Sequence, residues 1–319
     1  MRAVPLLSLL LSGWLVLPAH ADDAQELLKR LAQAEQQQSF QGTFVYERNG
    51  SFSTHRIFHR VIDGKVREHL VQLDGSAQEV SRLDGVTQCV STSLMPGVSA
   101  VPDSSPRALD AARLSAWYDI KTEGTSRVAG RAASVVALTP RDQHRYGIEL
   151  HLDAQTGLPL KSLLLSEKGQ LLERLQFTEL DPTIPTDQAL QPSANCKTVD
   201  VVKAPEPARQ QVAWRSSWVP PGFELSSSAA RNDPDAKSQV TSLMYNDGLS
   251  RFSVFIEPVS GSAVADIRTQ LGPTVAVSRR LTTPSGDAMV TVVGEIPMGT
   301  AERIALSMRG DVAIAPAKQ

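Results

Sequence analysis

"YGIELHLDAQTGLPLKSLLLSEKGQLLERLQF", residues 146–177, sets Ile148, Leu150 and Leu152 in alternation with Glu149, His151 and Asp153. A period of two is the mark of a strand with one dry face and one wet face. Ala154-Gln155-Thr156-Gly157 then turns the chain into Leu158, Pro159 and Leu160, and Glu167-Lys168-Gly169 turns it again towards Leu175 and Phe177. The stretch reads as an antiparallel meander, and it carries no nucleophile, phosphate loop or metal cluster.

The same period extends upstream through "FQGTFVYER", "THRIFHRVI", "GKVREHLVQLDG" and "GVTQCVSTSL", punctuated by Asn49-Gly50, Asp63-Gly64, Asp74-Gly75 and Asp84-Gly85. Asn-Gly and Asp-Gly supply the two left-handed residues of a tight hairpin turn, so four in a row predict successive antiparallel strands. Two segments break the period. Residues 22–38 place Leu27, Leu28 and Leu31 on one side of a short amphipathic helix, and residues 104–120, with Pro106 near their start, carry a second helical pattern. A sheet of about ten strands tends to curl, and two helices are at hand to cover its inner face.

Residues 181–211 are rich in proline and polar side chains and predict a linker. Beyond it, strand patterns around 222–230, 238–248, 250–259 and 274–296 and a terminal amphipathic helix with Ile304, Ala305 and Met308 predict a smaller module on an antiparallel sheet. The fold class is therefore α+β, mainly antiparallel β, with a large domain at 22–180, a linker at 181–211 and a small C-terminal domain at 212–319.

Arg2, the apolar run Val4–Leu17 and Ala19-His20-Ala21 have the form of a secretory signal peptide spanning 1–21, and Asp22 after the cut leaves no cysteine for a lipid anchor. A formal net charge of −2 argues against general nucleic-acid binding, which needs a basic face. The only two cysteines, Cys89 and Cys196, both belong to the exported part, where thiols usually pair. Such a disulfide would contribute up to about 4–5 kcal/mol by closing a long loop, with two buried thiols as the alternative.

The search for chemistry returns little. His55 and His59 fall on one strand face about 13 Å apart, too far for one zinc ion. No Gly-x-Ser-x-Gly elbow is present, and Gly-rich segments lack the strand-loop-helix setting of a phosphate cradle. No catalytic residue, cofactor or metal is expected. What remains is surface: Arg56, Arg60 and Arg67, interleaved with histidines, as a cationic rim or an ordinary solvated face, Phe44, Tyr46 and Phe58 beside them, and Trp218 as domain packing or a partner anchor. These seven residues are the candidate lipid or partner surface.

"FQGTFVY" at 40–46, "RVAGRAA" at 127–133, "RYGIELHLDAQTGLPLKSLL" at 145–164, "WVPPGF" at 218–223 and "YNDGLSRFSVFIE" at 245–257 resemble, in order, the signature stretches of the RseB/MucB family of periplasmic regulators, most strongly its MucB branch. The resemblance implies a large domain similar to LolA and LolB, an unclosed β-barrel with helices, and a smaller α/β domain. It also implies a partner, the periplasmic domain of a MucA-like anti-sigma factor, which is shielded from site-1 proteolysis until lipid or lipopolysaccharide releases it. Control of an extracytoplasmic-function sigma factor, of envelope stress and of alginate production would follow. The alternative is a LolA-like lipid or lipoprotein carrier, and homo-oligomerisation stays open.

Overall fold

The computed structural model describes residues 19–91, 110–199, 213–233, 238–259, 266–284 and 286–310. The signal-peptide expectation falls mostly on residues 1–18, outside the described residues.

In the first unit, α1 (Ala19–Gln37) precedes β1 (Phe40–Arg48), β2 (Ser51–Ile62), β3 (Lys65–Gln72), β4 (Glu79–Leu83) and β5 (Val86–Ser91). After α2 (Ala111–Leu114) come β6 (Tyr118–Val128), β7 (Arg131–Pro140), β8 (Gly147–Asp153), β9 (Pro159–Leu165), β10 (Leu171–Asp181) and β11 (Cys196–Thr198). They form one antiparallel eleven-stranded sheet in the order β11-β5-β4-β3-β2-β1-β10-β9-β8-β7-β6. Two meanders are thus joined where β10 returns to β1, and the edge strands β11 and β6 do not pair, so the sheet stays unclosed.

Turn chemistry fixes the registers. Asn49, Asp63 and Asp84 adopt positive φ of 53°, 51° and 50°, each followed by a glycine also at positive φ, as a two-residue hairpin turn requires. Asp74-Gly75 is different: β3 ends at Gln72 and β4 begins at Glu79, so this pair sits in a longer loop.

One face of the sheet is covered by α1. Ala24, Leu28, Leu31 and Ala34 recur at helical spacing and are buried, packing on Tyr118, Ile120, Val136 and Leu152 at one end and on Phe40, Phe44, Leu160 and Phe177 at the other. Polar ties seat the helix: Arg30 donates to the Ala154 carbonyl at 3.2 Å, Gln38 to that of Thr156 at 2.7 Å, and His59 Nε2 to that of Glu35 at 3.0 Å.

Two expectations change. The helical pattern at 104–120 is a helix only over Ala111–Leu114, capped by Asp110, among the described residues. Tyr118 and Ile120 lie instead in β6, opposite Pro140 and Leu138, because an aromatic and a β-branched side chain bury better against a neighbouring strand. The expected linker at 181–211 begins as part of the first unit: β11 pairs with β5, and Cys196 and Cys89 form a disulfide with a Cα–Cα distance of 5.5 Å.

The second unit comprises β12 (Trp214–Ser216), β13 (Glu224–Asp233), β14 (Ser238–Asn246), β15 (Arg251–Pro258), β16 (Ile267–Leu271), β17 (Thr274–Thr283), β18 (Gly286–Gly294), α3 (Met298–Ser307) and β19 (Met308–Gly310). Six strands form an antiparallel sheet in the order β13-β14-β15-β18-β17-β16, and β12 pairs with β19 beside it. The core packs Ile304, Ala305 and Ala301 of α3 against Val254, Val277, Val290 and Val292.

Gly42 gives a test of the packing in the first unit. A Cβ there would lie 2.5 Å from the Glu179 carbonyl oxygen and 2.9 Å from the Phe177 ring. Gly42→Ala should therefore cost about 1–3 kcal/mol by overpacking. Urea unfolding of the first unit should show a lower midpoint with an unchanged slope.

Candidate functional site

The seven surface candidates divide between two faces. β1 and β2 pair with Phe44 opposite His55 and Thr43 opposite Arg56, so neighbouring residues along each strand point to opposite sides. Phe44 belongs to the covered face: it is 6% exposed and stacks on His55 at 5.3 Å, which corrects its assignment as surface. Tyr46 shares that face, half-buried, and donates to Glu173 at 2.7 Å. Burial and this carboxylate push the Tyr46 phenol up to about 12.

Arg56, Phe58, Arg60 and Arg67 occupy the opposite, outer face. Arg60 is held by Asp187 at 2.6 Å, whereas Arg56 and Arg67 are exposed and make no ion pair among the described residues. Phe58 is half-buried and stacks on His69 at 6.1 Å. Around Arg56 and Phe58, with Gln41, Thr43, Glu179 and Asp181, lies a shallow groove of about 220 Å³. Among the described residues no group of His, Cys, Asp or Glu could hold a metal ion, and no helix is long and apolar enough to cross a membrane.

Trp218 lies elsewhere, at the contact between the two units. It is half-buried beneath the guanidinium of Arg303, 3.8 Å from its ring centroid, with His144 of the first unit edge-on at 5.2 Å. His144 Nδ1 also meets Thr300 Oγ1 at 3.0 Å. The Tyr146 hydroxyl donates to the Ile296 carbonyl at 2.9 Å across the same seam.

At the centre of this seam is Arg145, an arginine with no exposed surface. Its Nε donates to Asp247 at 2.6 Å, an aspartate that is also fully buried. Its other two nitrogens donate to Asp142 and to the Pro221 carbonyl. The guanidinium carbon lies 4.8 Å from the centroid of Phe223 and 5.3 Å from that of Trp117, so aromatic faces from both units enclose the charge.

Local sequence explains each partner. Asp247 turns the β14–β15 hairpin by accepting from Leu249 N at 2.9 Å and Ser250 N at 2.7 Å, which leaves Oδ2 for Arg145 and the Tyr118 hydroxyl. Pro220-Pro221-Gly222-Phe223 closes a turn with Phe223 N on the Pro220 carbonyl at 3.2 Å and Gly222 at φ 86°, the residue order of a type II turn. A side chain at Gly222 would overlap the Trp117 indole.

Spacing arguments did not find this site, because Arg145 and Asp247 are remote in sequence and neither sits in a recognisable pattern. A signal was nonetheless present. Three of the stretches that carry the family resemblance, at 145–164, 218–223 and 245–257, meet here through Arg145, Pro221 with Phe223, and Asp247.

Comparison with known proteins agrees with the two-unit division. Residues 23–194 match the MucB/RseB N-terminal domain and residues 208–309 the MucB/RseB C-terminal domain. The chain is 58% identical over 316 residues to the sigma factor AlgU regulatory protein MucB of Pseudomonas aeruginosa, covering 98% of this chain and 99% of that protein. It is 27% identical over 309 residues to the sigma-E factor regulatory protein RseB of Escherichia coli K12, covering 94% and 96%. Among solved structures it matches the Pseudomonas aeruginosa MucA/MucB complex with a TM-score of 0.82 at 58% identity, covering 91% of this chain and 100% of that chain. A crystal structure of MucB gives 0.65 at 56% identity, covering 91% and 98%.

The seam should respond to pH through His144. Burial, aided by Arg303 and Arg145 and opposed by Asp142, holds this imidazole below its usual range. A depressed histidine contributes stability above the free imidazole value of about 6.5, and that contribution is lost as pH falls through its lowered value. The thermal midpoint should therefore be lower at pH 5 than at pH 7.5, and His144→Asn, which cannot charge, should narrow the difference.

Proposed function

The chain belongs to the MucB/RseB family, and from that membership we propose that it restrains an extracytoplasmic-function sigma factor by binding the periplasmic domain of a MucA-like anti-sigma factor. Bound there, it shields that domain from site-1 proteolysis. A lipid or lipopolysaccharide signal releases it, cleavage proceeds, and the sigma factor drives envelope-stress and alginate genes. The protein acts in the periplasm, delivered by the signal peptide at 1–21, and its work is binding rather than catalysis.

The observation that carries this reading is structural. At equal coverage of this chain and nearly equal identity, the chain matches the MucA/MucB complexes better than the crystal structure of MucB, with TM-scores of 0.82 and 0.81 against 0.65. Sequence divergence cannot account for that gap. We assign it to the placement of the two units: the seam closed on Arg145 is the arrangement that holds the anti-sigma factor. A ligand releases the partner only if it prefers an arrangement that binds the partner less well.

The outer-face residues Arg56, Phe58 and Arg67 remain the candidate contact surface, whereas Phe44 and Tyr46 are committed to the packing under α1. A simple lipid carrier would need no second unit. Here the second unit is docked through a buried ion pair.

Protease protection tests the reading. The chain is mixed with the anti-sigma factor's periplasmic segment, and cleavage by the cognate site-1 protease is followed with and without lipopolysaccharide. Protection that lipopolysaccharide reverses is the expected result. No protection, together with lipid transfer between membranes, would favour the carrier.

A further inference from the structure

We propose that residues 182–199 form a strap across the outer face of the first sheet, and that the redox state of Cys89 and Cys196 sets whether the strap is fastened. The chain does not depart for the second unit when β10 ends at Asp181. It runs back across the sheet and is tied to successive strands in order. Gln41 of β1 donates to Thr183 at 3.2 Å, and Arg60 of β2 pairs with Asp187 at 2.6 Å. His69 of β3 donates through Nδ1 to the Ala189 carbonyl at 2.9 Å, and its Nε2 meets Glu79 at 2.8 Å. Glu79 of β4 accepts from the Ser193 backbone N–H at 3.0 Å and from its hydroxyl. The last tie, on β5, is covalent: Cys89 to Cys196.

The non-covalent ties are mostly polar and local. Asp187 is 80% exposed, so its ion pair is screened by solvent, and Ile184 is 66% exposed. Leu190 at 2%, Val199 at 7% and the buried Pro185 are the strap's apolar anchors. A segment of irregular backbone held by so little apolar burial depends heavily on whatever lowers the entropy of its free state, which is the role of the cross-link.

The bond is placed where it can be reached. Cys89 is buried, but Cys196 is half-buried on β11, an edge strand on which Lys197 and Thr198 are exposed. A dithiol attacks through its thiolate at the Cys196 sulfur, forming a mixed disulfide and expelling the Cys89 thiolate, which takes up a proton. The second thiol of the reductant then displaces Cys196, which is protonated in turn. In balance, two electrons and two protons pass to the cysteines, and the reductant leaves as its own disulfide. The strap is then held only by its non-covalent ties, its few apolar anchors and the short β11–β5 pairing, and the Phe58–His69 stack and the seat of Leu190 become open to solvent.

Hydrogen exchange resolved to short peptides tests this on the full chain, oxidised and after dithiothreitol followed by alkylation, with a Cys89→Ser/Cys196→Ser double variant as a second route. Protection over residues 186–199 should fall at least tenfold on reduction and in the variant, while that of β7 and β8 is unchanged. Unchanged protection over 186–199 would overturn the proposal, as would failure of dithiothreitol to reduce the folded chain. Equal loss of protection through β7 and β8 would also overturn it, because the bond would then staple the whole sheet rather than fasten a strap.

Discussion

A guanidinium without solvent contact can persist only where every donor and its charge are answered, and Arg145 draws its answers from both units: Asp142 from its own side, Asp247 and the Pro221 carbonyl from the other. Removing water from an ion pair costs several kcal/mol per ion before the pair's attraction offsets it. Such a pair contributes less to net stability than to specification. Any other docked placement that kept Arg145 buried away from Asp247 would leave its charge unpaired, and that penalty selects one closed arrangement. The Pro221 turn, the Asp247 hairpin turn and the indole of Trp117 are all shaped to this centre.

The rest of the molecule follows from how the first sheet divides its faces. Because the sheet is unclosed, its inner side needs a cover, and α1 packs a stripe of alanine and leucine against part of it. Arg56 and Arg67, which make no ion pair among the described residues, and the groove beside Arg56 are on the outer side, the face that the segment from Asp181 to Cys196 crosses.

Strands, tight turns and the two-unit division were readable in the sequence because they are local: a period of two needs only neighbours, and Asn49-Gly50 declares its own backbone conformation. The segment at 104–120 misled because Tyr118 and Ile120 satisfy a helical stripe as well as a strand, and only the partner β7 decides between them. The stretch after Asp181 looked like a linker since its ties to Arg60, His69 and Glu79 are polar and remote, leaving no apolar period to read. The seam was hidden for the same reason. Periodicity tells which residues share a face, and it is silent on what that face meets. The family stretches held Arg145, Phe223 and Asp247, yet each looked locally like a turn or core residue.

The most direct test is to titrate the anti-sigma factor's periplasmic segment against Arg145→Met and the unaltered chain, with small-angle scattering on the same samples. Methionine keeps bulk and removes the charge that Asp247 and the Pro221 carbonyl require. If the closed seam holds the partner, the variant should scatter as a more extended particle and bind at least tenfold more weakly. A variant that opens in scattering yet binds with unchanged affinity would contradict the account, as would one that stays closed.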